Sequence, residues 1–132
     1  MYKEVVIVRV DGSEDPTPLL ANAATPRRFK QIFHKDLLTL FANSQKQDED
    51  GGKIYNIDFI AELTFIMAMQ AQAREDSKIK LDKLNDNSLL DWLEQYDGMS
   101  IENAVQDILD VYFSNANSES ESKKNNEELS EK

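Results

Sequence analysis

The sequence predicts a mainly α fold: a small bundle of four to five helices around one central apolar helix, with a short N-terminal β strand or hairpin and a disordered C-terminal tail. Three observations carry this. Asp58 to Ala73, DFIAELTFIMAMQAQA, is apolar on nearly every side at helical spacing. Amphipathic segments with start and stop signals lie before and after it, and Ser114 to Lys132 is polar almost throughout. With successive residues about 100° apart, Phe59, Leu63 and Ile66 share one face, Ile60, Met67 and Ala71 a second, and Phe65 with Met69 a third. Such a helix needs cover all round. Its apolar run, broken by Glu62 and Thr64, is far shorter than the roughly 20 residues of a membrane span. It reads as a core helix or an oligomer seam, and the core reading is favoured.

The flanking elements follow in order. Tyr2 to Val10 is rich in β-branched residues and ends at an Asp11-Gly12 turn signal. Val6, Val8 and Val10 lie on one face of that strand and Val5, Ile7 and Arg9 on the other. A lone strand is unstable, so it pairs with Leu19 to Ala23 after the turn GSEDPTP, or with another subunit. Pro16 and Pro18 keep the connection from being helical. Thr25-Pro26 supplies an N-cap hydroxyl and a proline at the first helical position. Phe29, Ile32, Phe33, Leu37, Leu40 and Phe41 then predict one helix to about Asn43. Asn43 to Lys53, polar and ending in Gly-Gly, is a loop. Arg74 to Asn87 is mostly charged, a short helix or a mobile connection. Asn87 or Ser88 caps a helix carrying Leu89, Leu90, Trp92, Leu93 and Tyr96, with Gly98 placed for a left-handed end. Ser100 caps the last helix, Met99 staples onto Ala104, and Ile101, Ala104, Val105, Ile108, Leu109 and Tyr112 form its stripe. One helical domain over residues 1–113 is followed by a tail over residues 114–132, which carries Leu129 as its one large apolar residue and cannot offset its ordering entropy.

About 113 residues bury a modest core without staples. There is no cysteine, which excludes disulfides and thiolate metal sites and suits a reducing cytosol. MYKEVVIVRV lacks the apolar core and cleavage site of a signal peptide, so a cytosolic location is expected. Twenty-five acidic and fifteen basic residues leave a net charge of -10, which disfavours nucleic acid as the main partner. No membrane association is expected. The charge is uneven: Asp86 to Asp110 holds acids and no Lys or Arg, and Arg27 to Lys35 holds bases and no acid. Between subunits these segments complement each other, so self-association through Arg27, Arg28 and Lys30 against Asp91, Glu94 and Asp107 is expected.

Catalytic constellations are not visible in the sequence. His34 is the single histidine and reads as a surface or boundary residue. Gly51-Gly52 is not followed by the Lys-Ser/Thr of a phosphate loop, and nothing positions a carboxylate pair. No catalytic, cofactor-binding or metal residue is predicted, and the chain is expected not to be an enzyme.

The order of elements is informative: a short apolar strand, RRFKQIFHKDLLTLF, a loop, ELTFIMAMQAQ, a polar connection, then SLLDWLEQYDGMSIENAVQDILDVYF and a polar tail. Over roughly Glu4 to Phe113 this resembles the tail assembly chaperones of long-tailed phages and prophages of Gram-positive bacteria. The similarity is one of hydrophobic pattern. It implies a helical protein that coats the tape measure protein in the host cytoplasm while the tail tube polymerises, and that is absent from the mature virion. A coat needs apolar grooves, and on this reading Phe59, Ile60, Leu63, Phe65, Met67, Met69, Trp92, Val105, Ile108 and Tyr112 are the candidate partner-binding residues. Core packing is the competing assignment for the methionines and for Trp92. The resemblance also implies a frameshifted longer form that recruits the tail tube protein. Lys123-Lys124-Asn125 can encode a slippery run, although two lysines offsetting nearby glutamates is the plainer reading. A functional alternative is an acidic helical adaptor or inhibitor that sequesters a basic protein.

Overall fold

In the computed structural model, which describes residues 1–44 and 57–114, the chain runs β1 (Tyr2–Val6), β2 (Pro16–Leu20), α1 (Thr25–Phe33), α2 (Leu37–Ser44) and α3 (Ile57–Ala73). A 3-10 turn at Leu81–Lys83 leads to α4 (Asp86–Leu93), α5 (Ser100–Asn103) and α6 (residues 105–114). The expected loop to Lys53 and the tail, with Lys123-Lys124-Asn125, lie outside the described residues beyond position 44 and position 114. The mainly helical bundle with an N-terminal hairpin is as the sequence predicts.

Helix α3 is the axis. It touches β2, α1, α4, α5 and the 3-10 turn. From Phe59 to Ala71 every side chain but the half-buried Ala61 is buried, so this chain's own elements supply the all-round cover. Burying each large apolar side chain contributes about 1.5–3 kcal/mol. The polar residues of the helix have partners. Thr64 donates its hydroxyl to the Ile60 carbonyl at 2.7 Å, and Lys35 reaches the buried Glu62 at 2.8 Å. Gln70 Nε2 donates to the Leu20 carbonyl at 2.8 Å and to Thr25 Oγ1 at 2.9 Å, tying α3 to the hairpin and to α1.

The hairpin is antiparallel, pairing Tyr2 with Leu20 and Val6 with Pro16. Both strands are displaced from expectation: β1 stops at Val6, and β2 begins at Pro16 instead of Leu19. Prolines fit inside β2 because of strand parity. Ala21 N–H bonds to Met1 O at 2.8 Å, and the Leu20 carbonyl faces Gln70. Odd residues of β2 therefore face β1, and Pro16 and Pro18 turn their missing donors away from the ladder. Val5 and Ile7 enter the core, whereas Val6 and Val10 are exposed. Beyond Ile7 the chain crosses to the segment after α4: Asp97 N–H donates to Val8 O at 3.0 Å and Val10 N–H to Gln95 O at 3.1 Å.

Gly12 closes the turn between the strands at φ 85°, with nothing within 4 Å of where a Cβ would stand. The penalty for Gly12→Ala is thus purely conformational. A loss of about 1–2 kcal/mol is expected from urea titration, with an unchanged slope.

Six local expectations are corrected. The first helix is two: His34 adopts the left-handed conformation (φ 58°) and caps α1 through its N–H to Lys30 O, and Asp36 restarts the chain by accepting from Thr39 N–H at 3.2 Å. Thr25 does not cap α1. Its hydroxyl oxygen is occupied by Asn22 N–H and Gln70, and Ala24 stands at the N-cap without a side-chain bond. Helix α4 starts two residues earlier than expected, with a reciprocal Asn85–Ser88 capping box. Gly98 has no positive φ, since α4 ends at Leu93 with Glu94 as its C-cap and the chain then pairs with residues 8–10. Met99 is 57% exposed and no staple, and the last helix breaks at Ala104 (φ -98°, ψ 3°).

Candidate binding surfaces

The candidate partner-binding residues are almost all interior. Phe59, Ile60, Leu63, Phe65, Met67, Met69, Trp92 and Ile108 are buried, and Val105 and Tyr112 are half-buried. As an open groove this set is corrected. An all-round apolar helix recruits its own chain first, because intramolecular cover carries no association cost. The aromatic members form a line of rings through the molecule. Tyr112 stacks on Phe41 at 5.2 Å, Phe41 meets Phe59 edge-on at 4.8 Å, and Phe59 meets Phe29 at 6.1 Å. Phe29, Phe33, Phe65, Trp92 and Tyr96 continue the line, with centroids 4.7–6.5 Å apart. At its end the Arg9 guanidinium lies 5.1 Å over the Tyr96 ring, and the Tyr96 and Thr17 hydroxyls share a 3.1 Å hydrogen bond. Trp92 Nε1 is buried without an acceptor.

What remains exposed and apolar sits elsewhere. Leu38 on α2 is 70% exposed and Leu90 on α4 is 58% exposed. Leu38 borders a cleft of about 330 Å³ between α1 and α2, lined also by Pro26, Arg27, Lys30, Asp36 and Leu37. Arg27 and Lys30, three residues apart, project from one face of α1 and are exposed. Arg28 does not join them. It is turned about 100° away, half-buried, and lines a different cavity. On α4, Leu90 stands beside exposed Asp91 and, one turn on, exposed Glu94; Asp107 is exposed on α6. The chain thus carries one exposed leucine in a cleft with two cations and one anion, Asp36, and another beside two anions. Among the described residues no ion pair joins Arg27, Arg28 or Lys30 to Asp91, Glu94 or Asp107, and Lys35 pairs with Glu62 instead.

Leu38 was legible in part: it falls outside the stripe that predicts the first helix, and an apolar residue off the stripe of an amphipathic helix is a surface residue. Leu90 had no such signal, because it adjoins Leu89 in a short apolar run. Other exposed apolar groups are Tyr2 and Val6 on the hairpin, Val10 and Met99, and Phe113.

Hydrogen bonds from Ser13 lower the pKa of Asp11, and burial raises that of Tyr112. Exposed His34 stands at the α1 break, as a surface residue. Among the described residues, no three His, Asp or Glu side chains gather as a metal site would require, and no helix is long and apolar enough to cross a membrane. No family model matches the chain, and the comparisons found no similar curated protein or solved structure.

Proposed function

We propose that the chain is a tail assembly chaperone of a long-tailed phage or prophage of Gram-positive bacteria, which binds and solubilises the tape measure protein in the host cytoplasm and is left out of the virion. One observation carries the reading. The exposed apolar residues Leu38 and Leu90 stand on separate elements beside charges of opposite sign, Arg27 with Lys30 and Asp91 with Glu94. A Leu90 face entering the Leu38 cleft of another copy is a heterologous contact, which repeats into a ring or an open spiral. That geometry suits a coat around a long partner. The net charge of -10 keeps the outside of such a coat soluble.

The buried residues of α3 hold the bundle together, and contact with the tape measure falls to surface groups such as Val10, Met99 and Phe113. Recruitment of the tail tube protein belongs to a frameshifted longer form read through Lys123-Lys124-Asn125. AAG codons at either lysine, or the lack of an overlapping open frame, would remove that part of the proposal.

Co-expression provides the test. A tape measure protein encoded beside this chain should be insoluble alone, and soluble and co-purified in a complex with many copies of this chain when the two are made together. A tape measure that stays in the pellet at equal expression overturns the proposal. If the chain instead remains monomeric and captures a basic protein, the acidic adaptor reading replaces it.

A further inference from the structure

Among the described residues, the outer edge of β1 is a bare sheet edge. Met1 and Ala21 exchange hydrogen bonds, the Met1 ammonium donating to Ala21 O at 2.6 Å and Ala21 N–H to Met1 O at 2.8 Å. The register continues this with Lys3 on Leu19 and Val5 on Thr17, so odd residues of β1 bond to β2. The N–H and C=O groups of Tyr2, Glu4 and Val6 point to the other side. Those groups meet no partner among the described residues, and Tyr2, Glu4 and Val6 are exposed. Farther along, Val8 and Val10, of the same parity, bond to Asp97 and Gln95 in a short antiparallel bridge, which ends before the chain turns into α5 at Ser100. The opposite edge of the hairpin is closed: Pro16 and Pro18 have no N–H to offer there, and Leu20 O is taken by Gln70 of α3. Free donors and acceptors in line with an existing bridge are a template for one more strand.

The side chains along the edge select the occupant. Glu4 is exposed, has no ion-pair partner among the described residues, and stands between Tyr2 and Val6 on one face of the strand. A second copy fits poorly. Antiparallel pairing centred on Glu4 sets it opposite the other copy's Glu4, and a shift of two residues one way sets Lys3 opposite Lys3. A shift the other way lays Tyr2 against Val8, whose carbonyl Asp97 already holds. Like charges directly opposite destabilise a strand pair, whereas opposite charges and apolar pairs stabilise it. We propose that the edge of β1 binds an extended segment of another protein as an added antiparallel strand, with a basic residue opposite Glu4 and apolar residues two positions before and after it, against Val6 and Tyr2. Main-chain bonds to Tyr2, Glu4 and Val6 hold the segment, and the pairing at Glu4 chooses among sequences. The site uses neither Leu38 nor Leu90 and is independent of the tape measure reading.

Titration of the full chain with acetyl-Thr-Val-Thr-Lys-Thr-Val-Thr-amide, followed by the backbone amide resonances of β1, tests it. Saturable shifts are expected at Glu4 and Val6, whose N–H groups point outward, and smaller ones at Lys3 and Val5, whose N–H groups stay on β2. The same peptide with glutamate in place of lysine should bind about fivefold more weakly, and Glu4→Lys, an exposed change, should reverse the order of the two. A methyl group on the backbone nitrogen of the peptide's lysine keeps the charge and removes the central donor, so that peptide should not bind measurably. Glu4→Pro removes the matching outward N–H of the protein without touching the ladder to β2, and should abolish binding while leaving the thermal melt in place. Equal shifts at odd and even residues, equal affinity for the lysine and glutamate peptides, or full binding of the methylated peptide would each overturn the proposal. Shifts at Glu4 and Val6 that follow protein concentration with no peptide present would overturn it too, assigning the edge to a second copy.

Discussion

Replacing Phe59 with alanine is expected to lower the stability of the chain by about 3–5 kcal/mol, the usual cost of a cavity left by a buried aromatic ring. Phe59 is 1% exposed and meets Phe41 edge-on at 4.8 Å and Phe29 at 6.1 Å. It joins α3 to both helices of the preceding pair, so no single element can shift to refill the space. Edge-to-face pairs add about 0.5–1.5 kcal/mol to what area burial contributes. Against a total of about 5–15 kcal/mol for a natural domain, the loss leaves a substantial unfolded population at growth temperature. Phe113→Ala is the matched control. Its ring also approaches Phe41, at 4.7 Å, but it is 38% exposed, and the expected loss is about 1 kcal/mol or less. Urea titrations of the two variants give the comparison. A Phe59→Ala loss under about 1.5 kcal/mol would show that the aromatic line is not continuous through α3.

The central helix was legible because its signal is local: sixteen residues with apolar groups at every azimuth have one stable solution, burial. The hairpin was legible as a need for a partner, although its register was not. Strand parity in β2 is set by the Gln70 to Leu20 bond, 50 residues apart in sequence, and no local pattern encodes that. The break at His34 was hidden for a related reason. Phe33 and Leu37 keep the four-residue spacing of one helix, and only the Asp36 cap, two residues past a non-glycine left-handed residue, marks a restart. Gly98 misled in the opposite direction, since a glycine after an apolar run usually ends a helix left-handed. Here the segment before it is held by backbone bonds to residues 8–10, and that non-local pairing sets the local conformation. For the site, periodicity alone separates Arg28 from Arg27 and Lys30. Exposure of Leu38 and Leu90 depends on which faces the neighbouring elements cover.

The Leu90 face and the Leu38 cleft are distinct surfaces, and this gives self-association a test that an isologous dimer fails. At low salt the parent chain should grow in mass with concentration by light scattering. In about 1 M salt it should shrink, because the Debye length falls from roughly 10 Å at 0.1 M to about 3 Å. Leu90→Ser removes the apolar contact from one side, and Leu38→Glu places a like charge against Asp91 and Glu94 on the other. Both residues are exposed, so each variant should keep its stability within about 0.5 kcal/mol. Losing the burial of one leucine, about 1.5–3 kcal/mol, weakens the contact roughly ten- to a hundredfold, and each variant alone should be monomeric. Mixed in equal amounts, they should recover one contact and no more. The intact Leu90 face of the Leu38→Glu chain enters the intact cleft of the Leu90→Ser chain, and the remaining two surfaces cannot extend the pair. The mixture should therefore stop at a heterodimer under conditions where the parent forms larger species. Variants that assemble like the parent, or a parent that is monomeric at every concentration and ionic strength, would place the charged faces outside any contact between copies.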